Sequence, residues 1–223
     1  MESILNAMRR AFVTIFVIFV SLDIVPAYAN ETNYSTEIVK IIDEHFASQF
    51  TVTDQIFLLN YNSFTRYHTS DFSQYQYGNN CGPTLLANVL SYYKSLGYGN
   101  LYFGTITQSM YDDICARLGY SISNGSDLNK IPSALKSYVE NAGYGFSYDK
   151  YLINLWSDVT RDLKFGYPVI MSYNNHGYLV LGYRVMDGIK QLYTCTGWSA
   201  PEYTWINFNS SNMNMTSVHI YLK

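Results

Sequence analysis

Three cysteines and four histidines hold most of the nucleophilic and basic chemistry open to this 223-residue chain. The cysteines are Cys81, Cys115 and Cys195; the histidines are His45, His68, His176 and His219. No CxxC or HExxH spacing occurs and the four histidines are widely scattered, so a structural zinc site is not expected from local spacing. An odd cysteine count leaves either one pair and one thiol, or three thiols.

Cys81 differs from the other two in its setting. It sits in "GNNCGPTLLANVLSYY", residues 78–93, where a polar, glycine-containing loop meets an apolar periodic segment. Pro83 suits the first turn of a helix, where its missing N–H is not needed. That places Cys81 at or just before a helix N-terminus. The first N–H groups there lack helical partners, and the dipole presents roughly half a positive charge. Such a site favours a thiolate and can hold a developing oxyanion. The competing reading is a small buried or disulfide-bonded cysteine. Cys115, inside a helical pattern, and Cys195, inside a strand pattern, both read as core residues.

A thiol nucleophile needs a base within reach, and that base needs an orienting group. His176 is the best placed of the four histidines. It follows Asn174-Asn175 and opens an almost wholly apolar run, Tyr178 to Val185. Its plainer reading is a strand-end histidine bonded to a neighbouring carbonyl. His45 falls on the apolar stripe of a helix, His68 in an irregular loop and His219 in the last strand.

The elements that must position these groups follow from periodicity. Helices are predicted over residues 35–50, 83–96, 107–118, 127–141 and 150–164. A short strand is predicted at 55–61, and residues 62–80 read as a loop. From residue 167 the pattern turns β-like: 167–174, 176–185, 190–198, 203–208 and 217–223. "MDGIK", residues 186–190, carries the Asp-Gly signal of a hairpin. Helices first and antiparallel strands last is an α+β pattern.

The N-terminus reads separately. Arg9-Arg10, an apolar run from Ala11 to Val20 and Ala27-Tyr28-Ala29 form the three parts of a secretory signal. Residues 1–29 are therefore expected to be a signal peptide. The run is shorter than the ~20 residues a span needs, so no stable membrane insertion is expected after cleavage. Residues 30–65 read as a brace or a short pro-segment, and 66–223 as the main domain. The predicted location is secreted or cell-surface. With a net charge of −3 and no basic cluster beyond Arg9-Arg10, nucleic acid is not an expected partner.

Three motifs in order carry a resemblance: "NNCGPTLLANVLSYY", then "GYPVIMSYNNHGYLVLGYRV", then "LYTCTGW". This combination resembles papain-like cysteine peptidases, most nearly the bacteriocin-processing leader-peptidase type and its secreted bacterial relatives. The likeness covers roughly residues 70–210. It implies a helical lobe carrying Cys81 packed on an antiparallel β lobe carrying His176. It also implies hydrolysis of a peptide or amide bond in a peptide or protein substrate, without a cofactor. The family's oxyanion glutamine corresponds to Gln76 or Gln74, with Gln76 preferred. The family's third residue, an Asp or Asn, falls on Thr196, whose hydroxyl can accept from the imidazole but brings no charge. Asp187, the nearest carboxylate in sequence, sits in the Asp-Gly turn and is expected to point into solvent, so the orienting group stays open. This departure keeps open a weak or specialised enzyme, or an inactive relative acting as an extracellular binding protein. An acyl-transfer enzyme of the transglutaminase kind is a further alternative, since the sequence does not separate water from an amine as acceptor. Trp198, following Gly197 on an inner strand, is expected in the core; the resemblance offers the alternative that it shields the histidine from water.

A thiol-reactive probe separates enzyme from binding protein. The enzyme reading predicts selective, pH-dependent alkylation of Cys81, mapped by peptide mass; equal reaction of all three thiols would contradict it.

Overall fold

The structure is a computed structural model, and it describes residues 51–72, 75 and 79–222. The expected signal peptide, the helix over 35–50, Gln74 and Gln76 lie outside the described residues.

The described chain runs β1 (Val52–Phe57), α1 (Cys81–Ser95), α2 (Gln108–Arg117), α3 (Ile131–Asn141), β2 (Gly145–Lys150), α4 (Trp156–Lys164), β3 (Val169–Tyr173), β4 (His176–Met186), β5 (Ile189–Cys195), β6 (Tyr203–Asn207) and β7 (Met213–Tyr221). All strand pairings are antiparallel, in the order β2-β7-β3-β4-β5-β6. β1 pairs with β4 over 182–186, beyond the stretch that β3 occupies at 176–180. The α+β expectation therefore holds.

Several boundaries differ from the sequence reading, each for a local reason. The strand expected at 55–61 ends at Phe57, because Asn60 adopts φ 57° in a turn. The helix expected at 150–164 begins only at Trp156; Lys150 ends β2, and residues 151–155 form the connection between them. β2 is an edge strand with four exposed residues, and its partner β7 lies about 70 positions onward. Little in its own composition marks it. Asp187 and Gly188 take positive φ in the β4–β5 hairpin, as the Asp-Gly pair requires. Asp187 does more than face solvent: its carboxylate accepts from Thr51 N at 2.8 Å and so ties down the start of β1.

α1 is the centre of the fold. Gly82 through Tyr93 are all buried, so the apolar stripe of Leu86, Leu90 and Tyr93 is only one face of a helix enclosed on every side. Its polar side chains must therefore find partners. Asn80, Thr84, Asn88 and Ser91 recur at helical spacing, and the loop before the helix satisfies three of them. Asn88 bonds both backbone groups of Tyr67, at 2.8 Å each. Ser91 Oγ donates to Thr65 O at 2.5 Å and Asn80 Nδ2 to Thr69 O at 2.9 Å. Thr84 Oγ1 pairs with Tyr111 Oη at 2.9 Å. The irregular Asn/Ser/Tyr-rich loop is thus a strap, ordered by the polar side of the helix it crosses.

The same strap reaches the β lobe. Thr69 N donates to Gly197 O at 2.8 Å. Glu202 pairs with Arg66 at 3.0 Å and with His68 at 3.3 Å. Helix α1 and the β5–β6 loop are held to one another through residues 65–71.

Asn88→Ala should cost about 2–4 kcal/mol, because it leaves the Tyr67 N–H and C=O buried without partners. Urea denaturation reads this directly; a loss under about 0.5 kcal/mol, the scale of an ordinary surface change, would mean the strap contributes nothing.

Candidate active site

Cys81 is the first residue of α1. The first helical bond runs from Thr84 N to Asn80 O at 3.0 Å, and Pro83 has no N–H. The N–H groups of Cys81 and Gly82 thus precede that bond. Asn80 is by type a strong N-cap. Its side chain makes no cap here, because its amide donates to Thr69 O and to Tyr111 Oη. Among the described residues the end of the helix beside Cys81 is therefore left without a side-chain cap.

All three cysteines are free thiols. Cys115 and Cys195 are buried, as expected, and no bridge joins them. Burial pushes the Cys115 thiol up to about 12 and the Cys195 thiol up to about 11, which leaves both inert at neutral pH. Cys81 alone is partly exposed.

His176 opens β4 and is buried. Gly177, the next residue, approaches α1 so closely that a Cβ there would lie 2.8 Å from Leu85 Cδ2 and 3.6 Å from Leu128. Gly82, next to Cys81, approaches the same Leu128 side chain: a Cβ there would lie 2.9 Å from it. The residues following the cysteine and the histidine thus share one neighbour. Both glycines are needed for this close approach of backbone to side chain.

The ring of His176 is held by a main-chain group. Nε2 lies 2.6 Å from Thr196 O. A carbonyl only accepts, so Nε2 carries the proton and, in the neutral ring, Nδ1 carries the lone pair. This corrects the expectation for Thr196. Its hydroxyl does not face the imidazole; it donates to Pro201 O at 2.6 Å and accepts from Trp198 N at 3.0 Å. The hydroxyl shapes the loop, and the loop presents the carbonyl. Sequence could not show this, since every residue has a carbonyl.

Trp198 is also not in the core. It is 40% exposed and lies over His176, with ring centroids 4.2 Å apart. Tyr178 meets the same ring edge-on at 4.6 Å. Enclosed by these two aromatics, the imidazole loses solvation, and its pKa is lowered from 6.5; the bond to Thr196 O opposes but does not cancel this.

Two hydroxyls near Cys81 had no signal in the sequence. Ser126 Oγ and Tyr120 Oη are shielded from solvent and, among the described residues, have no hydrogen-bond partner. Ser126 Oγ would lie 3.0 Å from a Cβ at Gly82, and Tyr120 lies within electrostatic reach of Cys81. Unpartnered buried hydroxyls beside a nucleophile are potential partners for a substrate.

Among the described residues one group has metal-ligand character: Asp149, Asp162 and His219, with ligand atoms within 4.8 Å of one another. Its atoms are already engaged. Asp162 accepts from Tyr151 Oη at 2.5 Å and Arg161 Nε at 2.9 Å, and His219 Nε2 pairs with Ser217 Oγ at 2.7 Å.

The lowered pKa of His176 fixes a sign. Between the folded value and 6.5 the unfolded chain binds more protons than the folded one, so stability is full above 6.5 and falls as pH drops through the folded value. Titration followed by NMR should place the His176 midpoint below 6.5. Trp198→Ala should move it upward, by rehydrating the ring; an unchanged midpoint would remove Trp198 as the shield.

Comparison with known proteins agrees with this fold. The model of the Peptidase_C39-like family matches residues 58–210. The crystal structure of UfSP from C. elegans superposes with a TM-score of 0.52 at 12% identity, covering 76% of this chain and 34% of that one. This chain thus spans about a third of that structure's length. At this identity the likeness is one of fold. No curated protein matches the chain. The family match covers both the helix that Cys81 opens and the strand that His176 opens, and the chain belongs to the Peptidase_C39-like family of papain-like cysteine peptidases.

Proposed function

We propose that the chain is an exported peptidase in which Cys81 is the nucleophile and His176 the general base. The observation that carries this reading is the Nε2 hydrogen bond to Thr196 O, which leaves Nδ1 as the free basic nitrogen at the seam where α1 meets β4. Export rests on the basic, apolar and Ala-Tyr-Ala pattern of residues 1–29.

In the first half-reaction His176 Nδ1 takes the Cys81 proton, and sulfur attacks the scissile carbonyl carbon. The oxyanion is held by the N–H of Cys81 at the uncapped helix start, with Gln76 as the proposed second donor. Collapse breaks the C–N bond, and the imidazolium passes its proton to the leaving amine. In the second half-reaction water loses a proton to Nδ1 and attacks the thioester, which releases the acid and restores the thiol. Thr196 brings no negative charge to the ring. The imidazolium is therefore less stabilised than beside a carboxylate, in keeping with the lowered His176 pKa.

Cleavage of peptide mixtures, read by mass spectrometry, tests this. Cys81→Ala should abolish turnover, and His176→Ala should lower kcat by about 10²–10⁴. Thr196→Val keeps the main-chain carbonyl and should lose no more than about tenfold. Were the hydroxyl the orienting group, the loss would approach the ~10⁴ known for a removed orienting carboxylate. Unchanged cleavage by Cys81→Ala would overturn the assignment.

A further inference from the structure

A cleft of about 190 Å³ lies between the helical lobe and the sheet. Leu128, Asn129 and Pro132 form one wall, and the strand pairings account for the other. Lys150 on β2 pairs with Thr216 on β7, which pairs with Ile170 on β3, and Asn214 pairs with Ser172. All five line the cleft, and Tyr148 joins Lys150 on the same face of β2. Ser172 in turn pairs with Gly177, the residue after His176. Leu128 contacts the positions of both Gly82 and Gly177. Leu128 thus both lines the cleft and neighbours the positions that follow Cys81 and His176.

Its chemistry is of one kind. Lys150 is the one charged group in the lining. Its Nζ donates to Asn129 Oδ1 at 3.1 Å, and among the described residues it has no carboxylate partner. The adjacent Asp149 points to the opposite face, where it meets His219. The rest of the lining includes the neutral polar residues Asn129, Ser172, Asn214 and Thr216. Apolar wall is supplied by Leu128, Pro132, Ile170 and Met215.

We propose that this cleft receives an acidic side chain, Glu or Asp, of the peptide substrate, with Lys150 as its counter-charge. The methylenes of a glutamate fit against Leu128 and Ile170, and its carboxylate meets Lys150 and the neighbouring hydroxyl and amide groups. A basic side chain entering the same cleft meets an ammonium and no carboxylate. This inference deepens the peptidase reading and rests on it for the direction in which the peptide lies.

The test uses matched labelled peptides that carry Glu, Gln or Lys at each position in turn. Cleavage is measured with the wild type, and binding by fluorescence anisotropy with the Cys81→Ala protein, so that binding is read even if cleavage fails. At one position Glu should exceed Gln by about tenfold in both readouts, the scale of one charge-assisted contact. Lys150→Met should erase that preference, and Lys150→Glu should reverse it in favour of Lys. Peptides with Gln at that position should be cut equally by all three forms. Absence of any Glu preference, or a preference unchanged in both Lys150 variants, overturns the proposal. Lys150-dependent binding without cleavage would overturn the peptidase reading and leave the cleft's specificity standing.

Discussion

The hydrogen bond between His176 Nε2 and the carbonyl oxygen of Thr196 is the contact on which the site depends. It decides which ring nitrogen is protonated, and so which one is free to accept a proton. A main-chain carbonyl is a neutral acceptor fixed by the path of the loop. It orients the ring as a side chain would, but adds no charge. The site thus trades stabilisation of the imidazolium for a partner that no substitution at 196 can delete.

Holding that carbonyl in place takes much of the rest of the fold. The β5–β6 loop is pinned from within by the Thr196 hydroxyl, and from outside by the strap through Thr69, Arg66 and His68. The strap is pinned in turn by Asn80, Asn88 and Ser91 on α1. Position is thereby transmitted from the helix that carries the cysteine to the loop that orients the histidine. Enclosure of α1 on every side explains the arrangement. A helix with polar groups and no solvent needs protein partners, and the strap supplies them.

Much of this was legible in the chain. Periodicity located α1 and the run of strands from β3 to β7, because each has an apolar pattern of its own. The Cys-Gly-Pro order located a helix start, and the Asp-Gly pair located a hairpin, since proline and a positive φ impose local geometry. β2 was missed, because an exposed edge strand carries little alternation and owes its form to β7. Trp198 was placed in the core on residue type. It lies instead over His176, where an aromatic face shields the ring while its own edge meets solvent. The strap's backbone bonds and the unpartnered Ser126 and Tyr120 hydroxyls had no signature, as they exist only when distant segments meet.

By itself the sequence determined the chemistry on offer: a thiol at a helix start, an imidazole at the mouth of an apolar strand, and an α+β order of elements. These follow from residue type and local period, which act over a few positions. Tertiary structure alone decided that a carbonyl, not a hydroxyl, holds the imidazole, and that Lys150 lines a cleft with residues of β3, β7 and the start of α3. Those outcomes depend on strand register and loop path, which are set by pairings between residues tens of positions apart and leave no trace in any short stretch of the chain.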